Sequence, residues 1–245
     1  MRRAAKRTID LTVSSVGLLV LLPIYITVAF LLLVVQGRPI LHASTRAGRY
    51  LRPFPLLKYR TMNNRTDANG NLLDDSERIT RIGRILRASS LDEIPQLLNI
   101  LCGQMSLVGP RPLPMAYIER YSSYESRRSE VRPGLTGLAQ VRGRNATSWQ
   151  RRFAYDVTYV ERWTWRLELL IMIETFTVVL ARRGVSNGEH ATMPEFVGTT
   201  SGSTRQYHSR HTPTFDTLHR TLDVRQTSAP SGLEILAVEL EKLSI

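Results

Sequence analysis

The run LTVSSVGLLVLLPIYITVAFLLLVV, from Leu11 to Val35, carries no charged residue. A helix needs about 20 apolar residues to cross a bilayer, so this run is long enough to enter one. It is too long for the apolar core of a cleaved signal peptide, and no small-residue cleavage site follows it. Pro23 sits near its centre, where it removes a backbone donor and bends the helix. Both flanks are basic, with Arg2, Arg3, Lys6 and Arg7 before the run and Arg38, Arg46 and Arg49 after it. Basic flanks prefer the cytoplasmic side, which places both ends together. A helix–break–helix hairpin that dips into one leaflet, with Pro23 as the membrane break, satisfies both observations. An ordinary kinked span is the alternative. Residues 1–40 are thus expected to form a re-entrant membrane hairpin.

The remaining chain is long enough to bury a core. Residues 41–198 are expected to form a cytoplasmic domain, the part that would carry any catalysis, and 199–245, rich in Ser, Thr, Arg and His, a low-complexity tail with a terminal helix over LEILAVELEKLSI. The single cysteine, Cys102, excludes an internal disulfide, fits a reducing compartment, and is read as core on an apolar helix. A net charge of +12 calls for an anionic partner: nucleic acid, anionic lipid or phosphorylated small molecules. No nucleic-acid-binding motif accompanies it. His190, His208, His211 and His219 match no metal-ligand spacing and are read as solvent-exposed.

Local patterning predicts a mostly α fold with a short β element. LLKYRTM (56–62) reads as a strand, and DANGNLLDD (67–75) as a loop with an Asn-Gly turn. ERITRIGRILRAS (77–89) interleaves isoleucines with arginines at helical spacing, as a basic amphipathic helix on an anionic surface would. VGPRPLP is a loop, YIERYSSYESRRSEV a helix, and two further helices follow over WQRRFAYDVTYVERW and LELLIMIETFTVVLARRG.

SSLDEIPQ (89–96) is the sharpest local signal. Ser90 followed by Glu93 has the spacing of a capping box, and acids suit a helix N-terminus. That reading accounts for Asp92 and Glu93 as caps alone. Around them, however, lies phosphate-binding material: Arg87, Arg111 in GPRP, Lys58 and Arg60 alternating on the strand, and Arg142, Arg144 and Asn145 in VRGRN. Carboxylates among phosphate-binding groups make sense if a divalent cation joins them. Mg2+ held by one or two carboxylates, Asp92 first, and by phosphate oxygens is such an arrangement.

KRTIDLTVS, KYRTM, RIGRILRASSLDEIPQLLNIL, GQMSLVGPRP, RPGLTGLAQVRGRN and SWQRRFAYDVTYVE, in this order over roughly residues 5–198, resemble the bacterial sugar transferases. The resemblance is to their small monotopic polyprenyl-phosphate phosphoglycosyl transferases. It implies an enzyme of the cytoplasmic face of the bacterial inner membrane. Such an enzyme transfers sugar-1-phosphate from a UDP-sugar to polyprenyl (undecaprenyl) phosphate with Mg2+, releasing UMP and initiating glycan assembly. Carried over by motif, Asp92 is the nucleophile that forms a phospho-Asp intermediate and Glu93 its partner, while Arg87 and Arg111 hold phosphate. Two positions depart from the family pattern: Gln104 stands where an acid is common, and Ser44 where a Gln precedes Arg-x-Gly. The competing reading is a catalytically degenerate membrane-anchored binding or scaffold protein.

Overall fold

A computed structural model describes residues 2–143, 148–180 and 195–198. Arg144, Asn145, the 199–245 tail and the four histidines above lie outside the described residues.

The uncharged run forms two helices, α1 (Arg2–Val20) and α2 (Leu22–Gln36), bent by 61° at their junction. No single described helix is long and apolar enough to cross a membrane, but this bent pair is, by length and composition. The break falls at Leu21, two residues before Pro23, which occupies the first turn of α2. Proline's missing N–H and its ring act on the carbonyl one turn earlier, so the chain yields upstream of the ring itself. Large apolar side chains on both helices face outward, among them Leu19 at 71%, Phe30 at 67% and Val34 at 66% exposure.

After α2 the chain forms an antiparallel hairpin, β1 (Leu41–Ala47) with β2 (Pro53–Tyr59), His42 opposite Lys58 and Arg46 opposite Phe54. Sequence patterning found β2 three residues late and missed β1, whose LHASTRA alternates but has Leu41 as its one large apolar residue. The expected basic helix is broken. A short α3 (Asp75–Arg78) stops, and Thr80 caps a new helix, α4 (Arg81–Ala88), by accepting the Gly83 N–H. Gly83 and Leu86 turn inward, while Ile85 points out. A side chain at 83 would put its Cβ 2.0 Å from the Thr61 carbonyl oxygen, so only glycine lets α4 lie on the chain leaving β2.

Next come α5 (Gln96–Leu101), β3 (Ser106–Val108), α6 (Ser123–Ser126), β4 (Gly134–Thr136), α7 (Leu138–Gly143), α8 (Trp149–Glu161) and α9 (Trp165–Leu180). The segment expected as one helix before Pro133 is three short pieces: 3-10 turns at Met115–Arg120 and Arg127–Glu130 flank α6. The capping box there belongs to Ser122 and Glu125. β3 and β4, parallel and three residues each, were not predicted. They meet through Gly109 and Gly134, whose Cβ positions would collide with the opposing backbone. The two long C-terminal helices fall on their predicted segments, of which residues 181–184 lie outside the described residues. Cys102 is exposed rather than core, because α5 ends just before it.

One core cluster joins β3, α7, α8 and α9; another packs Phe54 and Leu56 of β2 against Ile94, Leu97 and Ile100, with Leu18 and Tyr25 of the hairpin helices alongside. α1 is also tied in by polar contacts: Arg7 donates to the Ile100 and Leu101 carbonyls, and Lys6 meets Glu168 of α9 at 2.8 Å. The described fold is mostly helical with two small sheets.

Candidate active site

Asp92 and Glu93 do not cap a helix. Ser90 has a left-handed backbone (φ 58°) and makes no side-chain capping bond. A 3-10 turn at Leu91–Glu93 follows, and α5 begins only at Gln96 with Pro95 at its N-cap. Proline's fixed φ suits a helix start, and its missing N–H is one that would be unsatisfied there anyway. The acids therefore belong to a turn between two helices.

That turn sits against the end of β2. Lys58 Nζ lies 2.6 Å from Glu93 Oε1 and 3.8 Å from Asp92 Oδ2. Arg111 Nη2 donates to the same Glu93 oxygen at 2.8 Å. Burial alone would raise the Glu93 carboxyl, but Arg111 and Lys58 outweigh it and hold it at about 2. Asp92 is 6% exposed and accepts no side-chain hydrogen bond among the described residues. Burial pushes its carboxyl above the ordinary value. Lys58, Arg87 and Arg111 pull it back, and the Glu93 charge pushes with burial. Two neighbouring carboxylates thus differ in kind: one is neutralised by two cations, and the other is left open among them.

The supports are local. Gly83 seats α4 on the strand exit, and one turn later Arg87 Nε donates to Thr61 Oγ1 at 2.9 Å, beside Asp92. Asn99, 1% exposed, accepts from Leu57 N–H and donates to the Pro55 carbonyl, fixing the strand that carries Lys58. Gln104 accepts from Asn99 Nδ2 at 2.6 Å, so its amide oxygen supplies the acceptor that holds Asn99 from the other side. Arg111 is placed by its backbone: Arg128 donates to the Arg111 carbonyl at 2.6 Å while gripping Asp156 of α8 at 2.7 Å. Asn99, Arg128 and Asp156 were missed in the sequence. A signal was there for Asn99 and Asp156, each the one amide or acidic side chain in an apolar stretch, LLNIL and FAYDVTYV; Arg128, one of two adjacent arginines in the polar YSSYESRRSEV, carries none.

Arg60 and Arg142 are engaged elsewhere. Arg60 donates to the carbonyls of Gln36, Gly37 and Arg38, closing the C-terminal end of α2. Arg142 grips Glu174 of α9 through two nitrogens. Charge in a sequence does not reveal which arginines fold into their own acids and carbonyls. Among the described residues no three of His, Cys, Asp or Glu cluster as a protein-only metal cage.

Residues 1–182 match the bacterial sugar transferase family model. An uncharacterized sugar transferase, EpsL of Bacillus subtilis, is 43% identical over 196 residues, covering 79% of this chain and 96% of that relative. The UDP-glucose:undecaprenyl-phosphate glucose-1-phosphate transferase of Caulobacter vibrioides is 41% identical over 187 residues, covering 71% and 69%. The undecaprenyl-phosphate galactose phosphotransferase of Salmonella typhimurium is 36% identical over 199 residues, covering 74% of this chain but 42% of that longer protein. With a family match over most of its length and relatives of this identity, the chain belongs to the bacterial sugar transferases.

Proposed function

We propose that this protein transfers a sugar-1-phosphate from a UDP-sugar to a polyprenyl phosphate, releasing UMP and beginning a surface or extracellular polysaccharide. The observation that carries the reading is the asymmetry of the acidic pair: Asp92 is buried and open beside Lys58, while Glu93 is locked between Lys58 and Arg111. The named activities of the Caulobacter and Salmonella relatives support it.

In the first half-reaction an Asp92 carboxylate oxygen attacks the sugar-bearing phosphorus. The bond from that phosphorus to the bridging oxygen breaks, its electron pair leaves with UMP, and an acyl phosphate remains on Asp92. In the second, a phosphate oxygen of the lipid attacks the same phosphorus and the Asp92 carboxylate is restored. Splitting the transfer means that donor and acceptor need not be held together. Lys58, Arg87 and Arg111 offset the charge on the transferring group. Glu93 keeps Lys58 and Arg111 in position. The fit to Mg2+ rests on one protein oxygen donor, the Asp92 carboxylate left open in the site, so phosphate oxygens arriving with the substrate would supply the rest of the shell. Such an ion would neutralise phosphate charge and favour the ionised Asp92.

The bent α1–α2 pair, with its outward apolar side chains and basic flanks, is read as a re-entrant hairpin at the cytoplasmic face of the inner membrane, where the lipid acceptor resides. The test is isotope exchange. With labelled UMP, UDP-sugar and Mg2+ but no polyprenyl phosphate, the wild type should move label into UDP-sugar, and Asp92→Asn should not. Lack of exchange in a wild type that turns over with acceptor would rule out the covalent step. A panel of UDP-sugars in the same assay identifies the sugar.

A further inference from the structure

Glu93 and Asp156 leave two arginines near Arg111 without an acid of their own. Arg46 of β1 makes one long contact, from Nε to Ser44 Oγ at 3.3 Å, and among the described residues no ion pair. Its backbone bridges Pro114, and Ala47 N–H bonds the Leu113 carbonyl, which brings β1 against the segment that carries Arg111. Arg152 lies in the first turn of α8, one turn before Asp156. That acid is taken by Arg128, which also holds the Arg111 carbonyl. Arg152 is left over the Trp149 ring at 5.4 Å, with its Nε buried and unpartnered. Burial lowers both guanidinium groups below their ordinary values. The Arg111 charge adds to this at Arg46; at Arg152, Arg111 and Arg128 add to it against the pull of Asp156. A buried donor left unmade is costly, and like charges gathered together are costly again. Such a cluster becomes favourable when an anion enters.

The direction of the cluster says which anion. Directly opposed residues of a hairpin share a face, so Arg46, opposite Phe54, and Lys58 lie on one face of the sheet. They are four strand positions apart, about 13 Å. The Lys58 end is the hairpin end: Tyr59 Oη donates to the Tyr25 carbonyl of α2, and Arg60 closes that helix. The Arg46 end points away from it. With the hairpin seated in the membrane as proposed above, a lipid phosphate would approach from the hairpin side and a water-soluble nucleotide from the other.

Resting on the function proposed above, we propose that Arg46 and Arg152, flanking Arg111, bind the phosphate that departs with the donor nucleotide. When Asp92 attacks the sugar-bearing phosphorus and the bridging P–O bond breaks, the departing phosphate gains one negative charge. Two cations waiting there hold the donor and stabilise that developing charge.

The experiment uses the full chain in detergent and UMP as the probe. Arg46→Gln and Arg152→Gln should each weaken UMP, as ligand by titration and as product inhibitor, by roughly ten- to a hundredfold, the loss of one charge-assisted contact. KM for the UDP-sugar should rise, KM for polyprenyl phosphate should hold, and Arg152→Lys should recover part of the loss. If Arg152→Gln fails to fold, Arg46→Gln and Arg152→Lys carry the same comparison. A rise in acceptor KM with UMP affinity unchanged would overturn the assignment in favour of a lipid-phosphate role. Equal UMP affinity in wild type and variants overturns this site alone, provided the wild type still releases UMP from UDP-sugar. A wild type that neither binds nor releases UMP removes the underlying function and this site with it.

Discussion

Two buried aspartates, Asp10 at the root of the hairpin and Asp92 in the acidic turn, sit in regions that treat charge in opposite ways. Asp10 is 3% exposed, and both its oxygens are used: Ser106 Oγ donates to one at 2.8 Å and Leu107 N–H to the other at 3.1 Å, with Lys6 at 3.8 Å. Lys6 continues to Glu168, which also accepts from Trp163 Nε1 at 2.7 Å and from Tyr159 Oη. This network joins α1 to β3, α8 and α9 with its charges paired. Asp92 is nearly as buried, yet among the described residues its one ion pair is with Lys58 at 3.8 Å. A satisfied buried carboxylate holds structure. One kept short of partners is held ready for a ligand, at a cost in stability.

The largest effects should separate the two regions. Asp92→Asn should cut UMP release by roughly a thousandfold or more, about 4 kcal/mol in barrier, while thermal stability holds or rises. The sign follows from its raised value: the fold disfavours the ionised form, so stability is greatest below the unfolded value and is lost as pH rises through the folded one. At pH 7 the amide removes that cost. Glu168→Ala should do the reverse. It removes the nearer acid of Lys6 and the acceptor of the Trp163 N–H and the Tyr159 hydroxyl, and the loss should be about 3–5 kcal/mol of stability, measured by thermal unfolding of the full chain in detergent. If Asp92→Asn melts early as Glu168→Ala does, the two aspartates are of one kind and the comparison fails.

A smaller effect probes the other member of the pair. Glu93 is held at about 2, below its ordinary 4.5, so its pairing contributes stability at neutral pH. That contribution is complete above about 4.5 and is lost as pH falls toward 2. The stability gap between wild type and Glu93→Gln should therefore close across this window. A gap that stays constant from pH 6 to pH 2.5 would mean the carboxylate charge is not what Lys58 and Arg111 hold.

The contrast also marks what the sequence disclosed. The uncharged run and its central proline announced a bent helix pair, because apolar length and a missing N–H act locally. Asp92, Glu93, Arg87, Arg111 and Lys58 were found as a set because their motifs keep a fixed order. Tertiary partners were not legible. Arg60 and Arg142 have the same charge as Arg111, and only the fold shows that α2 carbonyls and Glu174 engage them. Strands of three residues such as β3 and β4 carry no periodicity to read, and β1 is largely polar. The polar network around Asp10 lies nearly a hundred positions apart in sequence, beyond any local pattern.

Ser90 gives the smallest effect and the finest test of why the acidic turn exists. By spacing it is an N-cap, and removing a capping serine costs about 1 kcal/mol. Here it accepts no capping bond and holds φ at 58°, a conformation that costs a non-glycine residue roughly 1–2 kcal/mol. Ser90→Ala should then change stability by under about 0.5 kcal/mol, the ordinary range for an exposed surface site. Ser90→Gly should stabilise by up to about 1 kcal/mol, because glycine tolerates the left-handed backbone, offset in part by its looser unfolded chain. A 1 kcal/mol loss in Ser90→Ala would restore the cap and return the acids to the helix start. With the serine strained and uncapped, the turn is held by Lys58 and Arg111 gripping Glu93 from outside, and Asp92 is carried to its place by its neighbour's ion pairs.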